Sequence, residues 1–292
     1  MTLLSMLFKG IPGDERVHQS DFDGSGWSPP LVIPQIVSGS HPVWTRYYDQ
    51  TLFVAWRDVA APHAVHAARY DGPNDWAWLG AVPGATTGTA PAAAAMSWLP
   101  GRVLLAWRAD GNTGIHVATF DSLHWSAATA VPGAASSHAP AVACFESKIH
   151  LAWKGIAGDH NVYHATYGGS SWSSLQQLPG ILTTSQPALT TYASGLAMAW
   201  KGQEGDPAIY WATLGAGGAT WSPVARIGDF ETGTGPSILE FGDRLHLVWK
   251  GVGEDHALYM ANFDGAFWWR RHLIPGVASS SSAALAEFDP AF

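Results

Sequence analysis

The stretch Arg244-Leu245-His246-Leu247-Val248-Trp249-Lys250-Gly251 sets Leu245, Leu247 and Trp249 against His246 and Val248, then stops at a cation and a glycine. A period of two is the mark of an extended strand. The ending recurs. Phe8-Lys9, Trp56-Arg57, Trp107-Arg108, Trp153-Lys154 and Trp200-Lys201 close similar apolar runs, at intervals of 46 to 51 residues. That repeat length belongs to propeller blades and excludes the shorter helical solenoid units. Six of the fifteen Lys and Arg residues occupy this one position, so function is sought there first.

Outward from this strand, the last full copy resolves into four. Pro236 to Phe241 reads as an inner strand and Gly242-Asp243 as a tight turn. Arg244 to Lys250 is the second strand, and Gly251 to Asp255 a polar loop. Leu258 to Phe263 is a third strand, Asp264-Gly265 a hairpin turn, and Trp268 to Leu273 a fourth. Four strands in about 48 residues, without helical periodicity, predict an all-β fold. It is a six-bladed β-propeller of four-stranded antiparallel blades, one domain over residues 1–292. The chain begins at a second strand, Leu3 to Lys9, and supplies a lone first strand at Ala283 to Phe288; joined in one shared blade, these close the ring and leave no free sheet edge.

Three further columns keep the same phase. Trp27, Trp76, Trp125, Trp172, Trp221 and Trp268 are assigned to the fourth strand, filling the wedge between blades. Pro34, Pro83, Pro132, Pro179 and Pro275, with Gly228 in the remaining copy, are placed in the links between blades, where a fixed φ sets the path. Four residues on stands Ser38, Thr87, Ser136, Thr183, Thr232 or Ser279, read as a local cap on loop amides.

Composition narrows the function. Only 13% of residues are charged and the net charge is −8, which offers phosphate backbones no attraction; nucleic acid and anionic membrane are not expected partners. Cys144 is the single cysteine, so neither an intrachain disulfide nor a cysteine zinc site forms. No apolar run approaches the ~18 residues of a membrane helix, and a soluble monomer is expected. Met1 to Gly10 matches the strand phrase rather than a signal peptide, which leaves the compartment open between cytoplasm and export without a cleaved signal.

Links and second-to-third-strand loops should share one face of the ring. Six residues beyond the aromatic, four copies bear Asp14, Asp159, Asp206 or Asp255; the others have Pro62 and Thr113 there, with Asp58 and Asp110 close to their cations. Two readings stand. The cation and acid brace the loop as an ion pair, or they form a polar clamp beside an indole that takes sugar hydroxyls while the ring meets an apolar C–H face. The third strand adds His18, His66, His116, Tyr163, Tyr210 and Tyr259, read as packing between blades or as a pocket wall. The candidate ligand residues are therefore Lys9 and Asp14; Trp153, Lys154, Asp159 and Tyr163; Trp200, Lys201, Asp206 and Tyr210; and Trp249, Lys250, Asp255 and Tyr259. His63 with His66 and His160 with His164 lie on strand and loop rather than on a helix, so no metal or other cofactor is expected. No acid–base pair stands out, so no catalytic residue is assigned.

The phrase at 245–251, its Gly-Glu-Asp loop, the Tyr259 strand, Asp264-Gly265 and Trp268 together resemble tandem repeats of bacterial propeller proteins. In architecture the chain is also similar to the six-bladed fucose-binding lectins, which share the spacing of Leu258, Asp264, Gly265 and Trp268. Those lectins carry a sugar-binding Glu where this chain has Gln19, Ala67, Val117, His164, Trp211 and Met260, so fucose specificity does not carry over. The resemblance implies a non-catalytic, multivalent carbohydrate-binding propeller whose partners are glycans or glycoconjugates. The alternatives are a protein-binding scaffold and, third, a sialidase-like or other glycosidase, although the Asp-box spacing differs at Asp23, Gly24 and Trp27.

Overall fold

The computed structural model describes residues 2–48, 51–72, 75–217 and 220–289. These form six four-stranded antiparallel sheets arranged as the blades of a β-propeller. Blade 1 is assembled from both ends of the chain: Ala283–Phe288, Leu3–Lys9, Arg16–Phe22 and Leu31–Val37, in that order from the axis. The closing strands pair in antiparallel register from Leu3 opposite Phe288 to Phe8 opposite Ala283, as the complementary ends require. Pro290, Ala291 and Phe292, beyond the closing strand, lie outside the described residues. Blades 2 to 6 begin with the inner strands Val43–Tyr48, Ala92–Ala95, Ala141–Phe145, Ala188–Tyr192 and Ser237–Phe241. All six inner strands line an axial channel whose wall is rich in alanine, and small side chains let six strands converge there.

The core lies between blades rather than within them. Trp153 of blade 4 packs on Leu104, Ala106 and Ile115 of blade 3, and the other aromatics of the phrase repeat the arrangement around the ring. Trp107, Trp153, Trp200 and Trp249 are at most 1% exposed. Truncating a buried indole of this kind to alanine costs about 3–5 kcal/mol.

The second strands fall where their period of two puts them; the fourth strands do not. In blade 6 the fourth strand is His272–Ala278, and Trp268 precedes it, held to Phe263 by an isolated bridge. The prolines expected in the links lie inside these outer strands. In blade 4 Asn161 pairs with Leu182 and Tyr163 with Gln177, so Leu178, Pro179, Gly180 and Ile181 bulge out of the ladder. The bulge turns Leu178 and Ile181 inward in a period of three, and Gly180 takes φ +74°. Proline is tolerated because an outermost strand has no neighbour awaiting its missing N–H.

Candidate functional site

Links and second-to-third-strand loops meet on one face. Ser137 N–H bonds Gly155 O at 3.1 Å, and Thr183, Thr232 and Ser279 N–H bond His160, Pro207 and His256 O at 2.8 Å. The link hydroxyls are local caps. Those of Ser38, Thr87, Ser136, Thr183, Thr232 and Ser279 are fully buried, and each accepts the N–H two residues on at 3.0–3.4 Å.

Each cation is turned into this frame. Lys154 Nζ donates to Ser137 Oγ at 3.0 Å and to the carbonyls of Asp159 at 2.9 Å, Ile156 at 3.2 Å and Gly155 at 3.4 Å. Lys250 Nζ reaches Gly253 O at 2.8 Å, and Lys201 Nζ reaches Thr184 Oγ1 at 2.9 Å. Arg57 Nε and Arg108 Nε donate to the link carbonyls of Thr87 and Ser136 at 2.9 and 3.2 Å. Burial pushes the Lys154, Lys201 and Lys250 ammoniums below their ordinary pKa. The braced-loop reading thus holds for the cation, but its partners are mostly backbone oxygens. Among the described residues, only Lys9 of the six pairs closely with an acid, and that acid is Glu15 at 2.7 Å, not Asp14.

The loop aspartates pair with the third-strand column instead. Tyr163, Tyr210 and Tyr259 hydroxyls donate to Asp159, Asp206 and Asp255 Oδ2, each at 2.9 Å. His18 lies 3.3 Å from Asp14, and His66 lies 3.4 Å from Asp58. The second carboxylate oxygen accepts a backbone N–H two residues on, from Asn161, Ala208 or Ala257 at 3.0 Å. These bonds raise the pKa of the three tyrosines. For Asp159, burial works upward but the donors Asn161 and Tyr163 outweigh it, and its pKa falls. The tyrosine rings stack on the indoles of the same blade, at centroid distances of 5.9 Å for Trp153–Tyr163 and 6.0 Å for Trp249–Tyr259. This packing is within a blade, across neighbouring strands, rather than between blades.

The candidate residues therefore gather blade by blade but do not present the same surface. The indoles of Trp153, Trp200 and Trp249 are closed to any ligand, and Lys9, Lys154 and Lys250 are nearly buried. Aspartate and tyrosine stand at the rim, where Asp159, Asp206, Tyr163, Tyr210 and Tyr259 are half-buried and Asp255 is exposed.

The column Gln19, Ala67, Val117, His164, Trp211 and Met260 faces the crevice to the next blade, and it is mostly filled. Trp211 packs edge-on to Trp268 at 5.4 Å, and Met260 Sδ accepts Trp27 Nε1 at 3.3 Å. Some crevices hold polar groups that the repeat did not reveal, among them buried His246 beside Phe22 of blade 1. His150 Nδ1 lies 3.1 Å from buried His164 Nε2, with Trp221 edge-on to His164. Gln19 and Ser5 both donate to Asp21, at 3.0 and 2.5 Å. A signal existed: His150 and Ser5 occupy one strand position that is apolar in Phe53, Leu104 and Ala197. Among the described residues, no three His, Cys, Asp or Glu side chains gather to hold a metal ion.

No protein-family model matches the chain. No curated protein matches it in sequence. Solved structures do match in fold, and several of them are lectins. The fucose-recognising lectin of Aleuria aurantia superposes with a TM-score of 0.69 at 14% identity, over 94% of this chain and 91% of that one. AofleA from Arthrobotrys oligospora gives 0.67 at 11% identity, covering 93% of this chain and 82% of that one. The lectin BP39L from Burkholderia pseudomallei gives 0.65 at 12% identity, covering 92% and 84%. The likeness to this group of propellers is one of architecture.

Proposed function

We propose that the protein is a non-catalytic, multivalent carbohydrate-binding protein whose shallow, repeated sites lie on the face of links and second-to-third-strand loops. The observation that carries this reading is the carboxylate–phenol pair that recurs at 2.9 Å in three successive blades at the rim of that face. A carboxylate accepts two vicinal hydroxyls and a phenol oxygen can both donate and accept, which is the donor–acceptor set that a sugar's diols require. The three sites comprise Trp153, Lys154, Asp159 and Tyr163; Trp200, Lys201, Asp206 and Tyr210; and Trp249, Lys250, Asp255 and Tyr259. In each, Trp and Lys hold the loop from beneath and Asp and Tyr meet the ligand. Lys9 and Asp14 form a fourth, variant site in which His18 replaces the tyrosine.

The lectins of like architecture, one of them described by its fucose recognition, support sugar as the ligand class. Fucose itself is not proposed, because the column of the lectins' Glu is occupied by other side chains. The protein acts as a monomer whose affinity for a surface comes from multiplicity. A glycan array read beside a fluorogenic glycosidase panel tests this: binding without hydrolysis is expected. Hydrolysis would make the protein an enzyme, and a blank array with a recovered protein partner would make it a scaffold.

A further inference from the structure

Blade 6 departs from its neighbours where its outer strand begins. In blades 1, 3, 4 and 5 the wedge tryptophan is followed by Ser28, Ser126, Ser173 or Ser222. Each serine N–H bonds a third-strand carbonyl (Asp21, Thr119, Thr166 or Thr213) at 2.7–2.8 Å. Each Oγ accepts the N–H of the same residue at 2.9–3.0 Å. Blade 6 has Trp269 there. Its N–H still bonds Asn262 O at 2.8 Å, but an indole offers the Asn262 amide no acceptor. Burial does not compensate, since Trp269 is 53% exposed.

The flanking positions change in concert. Phe267, 74% exposed, stands where the other four blades have Gly26, His124, Ser171 and Thr220. Arg270 and Arg271, both exposed, are the only adjacent cations in the sequence, at positions that hold no charge in those blades. Leu273 is 57% exposed. Asp264, the carboxylate of the hairpin turn on this edge, is occupied by the N–H groups of Ala266 and Phe267 and by Trp269 Nε1, each at 2.9 Å, which also fixes the indole. Arg271 lies over the Tyr259 ring at 5.4 Å.

We propose that, against the expectation drawn from net charge, this outer edge of blade 6, Phe267 to Leu273, docks on an anionic lipid surface. Exposed aromatic and aliphatic side chains beside paired guanidiniums match the boundary between acyl chains and charged headgroups, which takes up the apolar groups and pairs the cations. A sugar or a soluble acidic peptide would engage the indole and the arginines and leave Phe267 and Leu273 in water. On a chain of net charge −8 the arginine pair also sets orientation, since the remaining surface is repelled by the same lipids.

Co-sedimentation of the full chain with phosphatidylcholine vesicles, with and without phosphatidylserine and free of glycolipid, tests the proposal separately from any glycan site. Binding is expected only with phosphatidylserine. Trp269→Ser restores the serine of blades 1, 3, 4 and 5, so it should fold at least as well while its partition coefficient falls about tenfold or more. Phe267→Ser should act in the same direction. Arg270→Gln with Arg271→Gln should lower binding about thirtyfold at low salt. The proposal is overturned if intact protein ignores phosphatidylserine vesicles, or if Trp269→Ser and Phe267→Ser both bind them as the parent does. It is also overturned if soluble heparin, not vesicles, is the ligand lost on Trp269→Ser. Thermal melts of the variants confirm that they are folded.

Discussion

At Gly10, Gly155, Gly202 and Gly251 a β-carbon would collide with the side chain of Asp14, Asp159, Asp206 or Asp255, which folds back over the glycine. That contact explains why glycine and aspartate occur together in four copies and are both missing from the copies at Arg57 and Arg108. Gly155→Ala should therefore destabilise the protein by about 1–3 kcal/mol through overpacking. Adding Asp159→Ala should recover part of that loss, because the two residues share one space; additive losses in urea denaturation would contradict the contact. Buried histidines set a second residue-scale expectation. Burial pushes His150, His164 and His246 down to about 4, from an ordinary value near 6.5. Because the folded values are depressed, their neutral forms stabilise the fold fully above about pH 6.5, and that contribution is lost as pH falls towards 4. The unfolding free energy from urea titration should fall across this window, by on the order of a few kcal/mol in total. His246→Phe, which copies Phe53 at the same strand position of blade 2, should flatten the slope.

Strands were legible in the sequence where an apolar run is bounded by turn residues, even though the ring buries both of its faces. Arg244–Lys250, Leu3–Lys9 and Ala283–Phe288 lie where alternation and the complementary ends put them. The outer strands were not legible, because the Pro-Gly bulge imposes a period of three and the prolines there look like breakers. Closure is a prediction at this scale. Ala283–Phe288 gives blade 1 its innermost strand, and its removal strips pairing from Leu3–Lys9 and opens the ring. A chain ending at Ser282 should lose its cooperative thermal transition; an unchanged melting curve would show that the ring does not depend on this strand.

For the whole molecule, function under the lectin reading depends on the number of intact rims. Asp159→Asn, Asp206→Asn and Asp255→Asn keep shape and remove charge, and each should weaken binding at its own blade by about 1–3 kcal/mol. Combined, they should abolish agglutination, since multivalent engagement can multiply affinity by ~100–10,000 and is lost with its sites. Haemagglutination and monovalent sugar titration of the triple variant check this. Unchanged agglutination with a lowered melting temperature would leave the aspartates a purely structural role.

The sequence by itself determined the repeat, the number of blades and the way the ends interlock, because these follow from local periodicity copied six times. It also brought the cation, acid and third-strand columns into view. Only the tertiary structure decided how they pair. Lysine turns to loop carbonyls and aspartate to the tyrosine of the neighbouring strand, while the indoles disappear between blades. Those choices depend on which side chain each loop can reach once six blades have closed, and distance through space is not written in spacing along the chain. The same holds for the exposed edge of blade 6: Phe267-Trp268-Trp269 reads as core in a list of apolar residues. Only the folded ring shows that Trp268 faces inward and that its two neighbours do not.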